Sequence, residues 1–125
     1  MKTTIDTEIL KSGEALEIAH VIPPDAENGG QIRPFLGHKP ANYLAHIDAA
    51  FEGKCDGLET RFYVGLLDGE MVGNIMTVET GGIGILGHVH TRLNQRRKGI
   101  CAAIMRRQIA DFERRKGKTL LLGTG

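Results

Sequence analysis

The arrangement of apolar residues predicts four strands: residues 16–22 alternate between apolar and polar with a period of two, and residues 61–67 and 71–78 are two apolar runs. The predicted strands are residues 16–22, 61–67, 71–78 and 83–91. Asp68-Gly69-Glu70 joins the second run to the third, which is typical of a β-hairpin, and Glu79-Thr80-Gly81-Gly82 forms a further turn. The last three runs are therefore predicted to lie antiparallel to one another.

Helical periodicity replaces this alternation in two other segments. Residues 41–51 form one predicted helix, which Gly53 ends, and its apolar stripe consists of Tyr43, Leu44, Ile47 and Phe51. Residues 100–116 form the clearest helix. Its apolar stripe consists of Cys101, Ile104, Met105, Ile109 and Phe112, and the residues placed mostly elsewhere are Arg106, Arg107, Asp111 and Arg114. Residues 23–40, rich in Gly, Pro and Asn, are predicted to be a long loop.

The segment after the second helix predicts how the sheet is completed. Gly117 ends that helix, and residues 119–122, Thr-Leu-Leu-Leu, are predicted to form a buried strand. A strand, a helix of this length and a second strand indicate a parallel crossover. The predicted fold class is therefore α/β, with antiparallel N-terminal strands and a strand–helix–strand unit in one mixed sheet.

A basic, glycine-containing turn separates the strand at residues 83–91 from the helix at residues 100–116. Arg96, Arg97 and Lys98 precede Gly99 in this turn. Such a turn directs unpaired backbone N–H groups and the positive end of a helix dipole at one spot. Cations gathered there oppose the dipole unless an anion sits between them, so the pattern predicts a site for a phosphorylated ligand.

The distribution of charge also favours a local anionic partner. The net charge is only +1, but residues 92–118 hold ten Lys and Arg against two acids, and residues 1–91 hold six against thirteen. For Arg114, Arg115 and Lys116, a solvated helix C-terminus is a sufficient explanation. Nucleic acid is a disfavoured partner because no aromatic residue lies in residues 92–111 to stack on bases.

Length and composition are typical of one soluble globular domain. The chain has 125 residues, of which 41% are hydrophobic and 25% are charged. No apolar run approaches the ~20 residues that span a bilayer, and the first residues contain no secretory signal. Cys55 and Cys101 make no disulfide framework, so we expect reduced thiols in a cytoplasmic protein without a membrane partner.

Two glycine motifs imitate nucleotide-binding signatures. Residues 82–87 match G-x-G-x-x-G, but a turn precedes them and an extended run follows. Glycines of a twisted or bulged strand are therefore favoured over a dinucleotide site. Gly117-Lys118-Thr119 resembles the end of a Walker A loop, but Phe112 occupies the position of the first glycine, so this motif fails.

Two histidines and a cysteine are the remaining candidates for chemistry. His88 and His90 are spaced to lie on one face of a strand, but no third ligand is evident by spacing, so no metal is predicted. We expect them to line a groove, where a histidine near a reacting amine could relay a proton. Cys101 stands at a helix start, but its place on the apolar stripe favours a packed core residue over a nucleophile.

From residue 60 to residue 125, the sequence resembles the GNAT superfamily of acyl-CoA-dependent N-acetyltransferases. The family motif R/Q-x-x-G-x-G/A lies between a strand and a helix, and here it reads Arg96-Arg97-Lys98-Gly99-Ile100-Cys101. Cys101 departs from the family's Gly or Ala but is also small. Residues 1–59 are compatible with the family and carry no specific signature of it.

The resemblance implies acetyl-CoA as the acyl donor and a primary amine as the acceptor. The pyrophosphate would lie on the amides of residues 97–102, and the pantetheine arm would pair with the backbone of Val89 and Thr91 between two splayed strands. A backbone N–H near Val89 or His90 would stabilise the oxyanion, and the amine would attack directly. The candidate catalytic residues are His88 and His90. The cofactor-binding residues implied in this way are Val89, His90, Thr91, Arg96, Arg97, Lys98, Gly99, Ile100, Cys101 and Ala102.

The resemblance also raises an expectation about the extent of the domain. Members of the family continue past the strand that corresponds to residues 119–122 with a further helix and two strands. We therefore expect residues 1–125 to be the N-terminal and central part of a single GNAT-like domain, with its C-terminal part missing. An exposed sheet edge at residues 119–122 would favour a homodimer.

Alternatives to this reading stay open at the level of sequence. A partner chain could complete the sheet, or the chain could be a non-catalytic acyl-CoA-binding or regulatory module on the same fold. A nucleic-acid-binding domain would rest on the basic turn alone. The acceptor could be a peptide, an aminoglycoside, a polyamine or a small metabolite.

Overall fold

A six-stranded sheet with helices on both faces organises the computed structural model, which describes residues 2–23, 26–39, 41–53 and 57–122. The strands are β1 (Lys2–Ile9), β2 (Ala15–Val21), β3 (Glu59–Leu67), β4 (Glu70–Thr80), β5 (Ile83–Thr91) and β6 (Thr119–Leu122). The helices are α1 (Ala26–Phe35), α2 (Ala41–Phe51) and α3 (Ile100–Arg114), and a single 3-10 turn covers Leu93–Gln95. No helix of these described segments is long and apolar enough to cross a membrane.

The strands lie in the sheet in the order in which they occur in the chain. The pairs from β1–β2 to β4–β5 are antiparallel, and β6 runs parallel to β5 after the crossover through α3. The predicted α/β class with a mixed sheet is therefore confirmed. The predicted strands at residues 16–22, 61–67, 71–78 and 83–91 match β2 to β5 to within two residues at either end, and the helix at residues 41–51 matches α2.

Two apolar cores lie on opposite faces of the sheet. Helix α3 covers one face, where the core contains Leu16, Ile18, Tyr63, Ile75, Leu86, Ile100 and Ile104. Helices α1 and α2 cover the other face, where the core contains Ala19, Val21, Ile32, Leu36, Ile47, Phe62, Val64 and Met76. Because β3 and β4 are buried on both faces, they read as nearly continuous apolar runs rather than as alternating ones.

Helix α1 contradicts the predicted loop at residues 23–40. Gly29, Gly30 and Pro34 lower the intrinsic helix propensity of this segment. Ile32 and Leu36 are nevertheless completely buried against the sheet, and this tertiary contact outweighs the weak local preference. Residues 24, 25 and 40 of the predicted loop lie outside the described residues. Strand β1, which the sequence pattern did not reveal, is exposed or half-exposed along its length and so carries little alternation.

The predicted apolar stripe of α3 is rotated in the structure. Ile109 is 38% exposed, whereas Gln108 and Asp111 are buried. The carboxylate of Asp111 faces inward because it accepts a hydrogen bond from the Tyr63 hydroxyl over 2.6 Å. The prediction of a buried strand at residues 119–122 is also wrong, since Leu121 is 52% exposed. Strand β6 lies at the edge of the sheet, so α3 covers only one of its faces.

An ionic cluster around the buried Asp111, which we call the Asp111 cluster, holds the C-terminal half of α3 on the sheet. Arg115 Nε donates to Asp111 Oδ2 over 3.1 Å, and Arg115 Nη1 donates to Glu79 Oε1 over 2.6 Å. Arg114 Nη2 donates to Asp111 Oδ1, and Tyr63 completes the cluster. Burial by itself raises the pKa of Asp111, but the hydrogen bonds from Tyr63, Arg114 and Arg115 outweigh it and hold the pKa at about 2.

The depressed pKa of Asp111 predicts a pH-dependent stability. Because the ionised form is favoured in the folded state, its contribution is complete above pH ~4 and is lost as the pH falls towards 2. We expect Asp111→Asn to lower the free energy of unfolding by about 2 kcal/mol at pH 6. The difference from the wild type should shrink between pH 4 and pH 2 in denaturant titrations.

Asp48→Asn is the matched control, because Asp48 pairs with Arg33 at a more exposed site. It is expected to change stability by less than about 1 kcal/mol. Equal losses in the free energy of unfolding from the two substitutions would show that the buried Asp111 carboxylate stabilises the fold no more than the exposed Asp48 does.

An exposed apolar patch on β5 and β6, formed by Ile83, Ile85 and Leu121, predicts self-association. These side chains are 48%, 51% and 52% exposed, and Ile85 pairs directly with Leu121. We expect concentration-dependent association in light scattering, and we expect Leu121→Lys to abolish it. Leu93→Lys, which removes an isolated exposed leucine, should leave it unchanged. A wild-type chain that stays monomeric at high concentration would contradict this expectation.

Candidate functional site

A cavity of about 330 Å³ lies between the end of β5 and the start of α3, and we call it the β5–α3 cavity. All the residues predicted to bind the cofactor line it except Lys98, and Gln95 is an additional lining residue. The structure therefore brings a set that was proposed from a sequence motif together around one space. The lining residues are Val89, His90, Thr91, Gln95, Arg96, Arg97, Gly99, Ile100, Cys101 and Ala102.

The edge of β5 next to this cavity is open among the described residues. Pairing between β5 and β6 runs from Ile83 with Thr119 to Leu86 with Leu122, and residues 87–91 extend beyond it. On the other side, Asn74 pairs with His90 and Met76 with Gly87, so β5 carries one extra residue there. Such a bulge bends a strand and redirects its backbone groups. The last part of β5 thus offers polar backbone towards the cavity.

The turn that follows β5 delivers the N-terminus of α3 to the same place. Arg96 Nε donates to the carbonyl of Thr91 over 3.2 Å, and Arg97 has a positive φ of 66°. Gly99 also has a positive φ, 80°, and caps the helix. Ala103 N donates to Gly99 O over 3.0 Å, so the amides before Ala103 have no acceptor within the helix.

Close packing sets the distance between the first turn of α3 and the sheet. Ile100 and Ile104 are completely buried against β4. A Cβ added to Gly73 would come within 2.8 Å of Ile104 Cδ1 and 3.0 Å of Ile100 Cγ2. Because Gly73 has no side chain, the first turn of α3 approaches the backbone of β4 directly.

The three cations of the turn do not act alike. Arg96 and Arg97 are exposed and line the cavity. Lys98 does not line it, and Lys98 Nζ donates to Glu14 Oε1 over 2.8 Å and to Gln95 Oε1, on a lining residue, over 2.7 Å. The hydrogen bond from Lys98 also lowers the pKa of Glu14. That Lys98 contacts a ligand stays a prediction, and an acid on the β1–β2 turn would compete for its ammonium.

Cys101 lies in the first turn of α3 and is half-buried against the apolar core that α3 covers. Burial raises the pKa of its thiol, so the thiolate is disfavoured near neutral pH. These properties suit a packing residue rather than a nucleophile, as the sequence pattern indicated. Cys55 lies outside the described residues.

His90 and two aromatic rings on the α1 side form a cluster that the sequence pattern did not reveal. The centroid of the His90 ring lies 4.1 Å from that of His38 and 5.0 Å from that of Phe35. Burial, followed by the charges of His38, Lys39 and the arginines of the turn, lowers the pKa of His90 to about 4. His38 was missed because it falls in the segment predicted to be a loop.

The other candidate for chemistry, His88, belongs to β5, but its side chain lies outside the described part of the chain. Its role therefore stays a prediction. No group of three or more His, Cys, Asp or Glu residues that could hold a metal ion occurs among the described residues.

A second cavity, of about 410 Å³, lies between α1, the turn from β3 to β4 and Arg92, and we call it the α1 cavity. Its lining residues are Gly30, Gln31, Pro34, Phe35, Gly69, Glu70, Met71 and Arg92. Arg92 Nη1 donates to Glu70 Oε1 over 2.6 Å, and the Arg92 guanidinium lies 5.9 Å from the centroid of the Phe35 ring. Phe35 contacts His90 as well, so the aromatic cluster stands between the two cavities.

Glycine motifs outside these cavities have structural explanations. Residues 82–87 form a turn and the first half of β5, so no helix opens inside the G-x-G-x-x-G pattern. A Cβ at Gly84 would lie 3.1 Å from both Leu120 and Phe112, so close packing accounts for a glycine at this position. Gly117, where a Cβ would overlap the Phe112 ring, permits the exit from α3.

Comparison with models of protein families and with curated protein sequences gives no match. Solved structures do match. A ribosomal-protein-alanine N-acetyltransferase from Brucella melitensis biovar Abortus 2308 is 19% identical, with a TM-score of 0.66 over 88% of this chain and 80% of that one. A GCN5-related N-acetyltransferase from Ralstonia eutropha JMP134 is 20% identical, with a TM-score of 0.62 over 87% and 83%.

A third solved structure is described as a predicted acetyltransferase with acetyl-CoA, from Clostridium acetobutylicum. It is 13% identical, with a TM-score of 0.61 over 88% of this chain and 81% of that one. At these identities the likeness is one of fold. The order of strands, the parallel crossover through α3 and this likeness together show that the described part of the chain has the GNAT acetyltransferase fold, as the sequence motif indicated.

Proposed function

We propose that this protein is an N-acetyltransferase that transfers an acetyl group from acetyl-CoA to a primary amine. The observation that carries the proposal is the β5–α3 cavity, in which helix amides, two exposed arginines and an open strand edge converge. Acetyl-CoA matches these features: its diphosphate suits the helix amides and the two arginines, and its extended pantetheine arm suits the open strand edge. The GNAT fold of the chain and the acetyl-CoA in the Clostridium structure support the same assignment.

The diphosphate of the donor is assigned to the start of α3. The amides of residues 97–102 precede the first helical hydrogen bond, and they carry the positive end of the helix dipole. Arg96 and Arg97 add two full charges at the same cavity. An anion bound there would also relieve the unfavourable placement of cations at a helix N-terminus.

The pantetheine arm is assigned to the open edge of β5. Its amide groups can pair with the backbone of Val89 and Thr91 much as an added strand would. The bulge in β5 lies next to this segment, and a redirected N–H near Val89 or His90 would donate to the thioester carbonyl. Negative charge that develops on this oxygen during attack would then be stabilised.

The proposed reaction is direct attack of the amine on the thioester. The acceptor ammonium first loses a proton, and its nitrogen then forms a bond to the carbonyl carbon. The carbon–sulfur bond breaks and the electron pair leaves with sulfur. The nitrogen gives up a second proton as the amide forms, and the coenzyme thiolate takes up one proton to become the free thiol. The protein supplies positioning, oxyanion stabilisation and a proton acceptor, so no covalent intermediate on the chain is needed.

Calorimetric titration with coenzyme A and with acetyl-CoA tests donor binding. We expect binding that weakens as salt is added, and about tenfold weaker binding in the Arg96→Gln, Arg97→Gln double variant. The Lys116→Gln, Lys118→Gln double variant removes the same charge at the far end of α3, so its affinity should be unchanged. Absence of binding by the folded wild-type chain would refute the proposal.

Turnover separates a transferase from a binding module on the same fold. Release of free thiol from acetyl-CoA is followed with three acceptors: a peptide with an N-terminal alanine, spermidine and kanamycin. Acetylated products are identified by mass spectrometry. Acetylation of at least one amine above the uncatalysed rate is the expected result. Donor binding without turnover on a broad amine panel would favour the non-catalytic acyl-CoA-binding module.

A glycine substitution separates ligand contact from folding. A Cβ at Gly99 would meet no protein atom within 4 Å, so a valine there would project into the open space of the cavity. We expect Gly99→Val to lose donor affinity by at least about tenfold, while the positive φ costs about 1–2 kcal/mol of stability.

Gly53 provides the matched control for this substitution. It has a φ of 73°, is also free of contacts within 4 Å of a Cβ, and lies after α2 away from the β5–α3 cavity. Gly53→Val should therefore show the same loss of stability and keep the donor affinity. If both variants bind equally well, Gly99 is a structural glycine only.

A further inference from the structure

The α1 cavity and the β5–α3 cavity are neighbours, because a residue of one contacts a residue of the other. Phe35 lines the α1 cavity, and its ring centroid lies 5.0 Å from that of His90, which lines the β5–α3 cavity. A transfer between two substrates needs them in adjacent spaces. If the donor occupies the β5–α3 cavity, the α1 cavity is the adjacent space for the acceptor.

One charged pair dominates the lining of the α1 cavity. Arg92 Nη1 donates to Glu70 Oε1 over 2.6 Å, and the two side chains are 42% and 66% exposed. Because such a solvated pair is held weakly, a ligand can engage one partner without leaving the other buried and unpaired. The Arg92 guanidinium makes no other hydrogen bond within the described residues, so its remaining N–H groups are available.

The Arg92 side chain is anchored at both ends. Arg92 N donates to Val72 O over 2.8 Å, which ties the backbone of this residue to β4. At the other end, the guanidinium lies 5.9 Å from the centroid of the Phe35 ring. An arginine held in this way presents a planar fork of N–H groups in a defined direction, and a carboxylate matches that fork with its two oxygens.

The junction between the cavities has a positive potential. The strongest electrostatic influences on the His90 ring come from neighbours that can carry positive charge, which are His38, Lys39, Arg96 and Arg92. Of the described residues, Glu70 is the one acid that lines the α1 cavity, and it is already paired. Asp68 lies on the same turn without lining the cavity. A polycation would therefore be repelled at this junction, whereas a negative group close to the amine would be attracted.

We propose that the acceptor is a small molecule that carries a carboxylate as well as its reacting amine, such as an amino acid or a short peptide, and that Arg92 binds this carboxylate in the α1 cavity. The inference rests on the proposed acetyl transfer and names the class of its acceptor. Glu70 holds the other side of the guanidinium. Polyamines and aminoglycosides are disfavoured by their charge.

Matched acids and amides test this preference in turnover. Glycine, diglycine and triglycine are each compared with their carboxamides, and kcat/KM is referred to the concentration of neutral amine. We expect an acid-to-amide ratio of about ten for at least one member, and this ratio should shrink as salt is added. Spermidine and kanamycin should be poorer acceptors than that member. The series varies the separation of amine and carboxylate, so the best member reports the distance from the thioester to Arg92.

Variants of Arg92 test whether this residue causes the preference. Arg92→Gln should bring the acid-to-amide ratio close to one, and Arg92→Lys, which keeps the charge without the planar fork, should give an intermediate ratio. Arg33→Gln is the matched control on α1, because Arg33 pairs with Asp48 and does not line the cavity, and it should keep the wild-type ratio. A wild-type ratio near one throughout the series would overturn the proposal. Equal losses for acid and amide in Arg92→Gln would also overturn it, since they would make Arg92 a structural residue.

A binding measurement separates this inference from the proposed function. In NMR titrations of the folded chain, the best acid of the series should bind about tenfold more tightly than its carboxamide, and Arg92→Gln should remove the difference. No turnover is needed for this comparison. If calorimetry shows no donor binding, or no amine turns over, the acetyl transfer fails while the binding preference is still measured. Turnover of amines without any preference for the acids would overturn the acceptor class alone.

Discussion

The close approach of α3 to the backbone of β3 and β4 is the constraint on which the rest of the structure depends. Gly65 and Gly73 face the helix, and a Cβ at either position would lie 3.0 Å or less from Ile104 Cδ1. Without those side chains, Ile100 and Ile104 pack directly on the sheet. The first turn of α3 is thereby fixed beside the last residues of β5, and the open amides and the strand edge come to border one cavity.

The two ends of α3 are held by different forces, and this difference suits their roles. The first turn packs through the apolar side chains of Ile100 and Ala103, and the amides at the helix start have no acceptor within the helix. The last turns are held by the Asp111 cluster, whose acids and arginine are satisfied by one another. A network of charges at the start of the helix would compete with an anionic ligand, whereas at the far end it stabilises without interfering. Rigid support and an available binding surface are thus separated along one helix.

The sequence predicted those parts of the structure that local pattern determines. Strands β2 to β5, helix α2 and the crossover through α3 carry clear periodicity or turn residues, and the cavity lining follows a motif within one continuous segment. Helix α1 could not be found in this way, because Gly29, Gly30 and Pro34 disguise it and only the burial of Ile32 and Leu36 makes it helical. The spacing of those two apolar residues was the one signal available.

Errors in the candidate site have the same origin in long-range contacts. The direction of Lys98 depends on Glu14 in the first hairpin, and the partner of His90 comes from a segment beyond the reach of any motif. Asp111 was assigned to the polar face of α3 because its partner, Tyr63, lies on a distant strand. Sequence pattern locates a site well when its residues are neighbours in the chain, and poorly when the fold assembles them.

The two cavities share no lining residue, and the contact between Phe35 of one and His90 of the other connects them. Different helices line them, α3 for one cavity and α1 for the other. Substitutions on α1 can therefore change the shape of one cavity while the lining of the other is preserved.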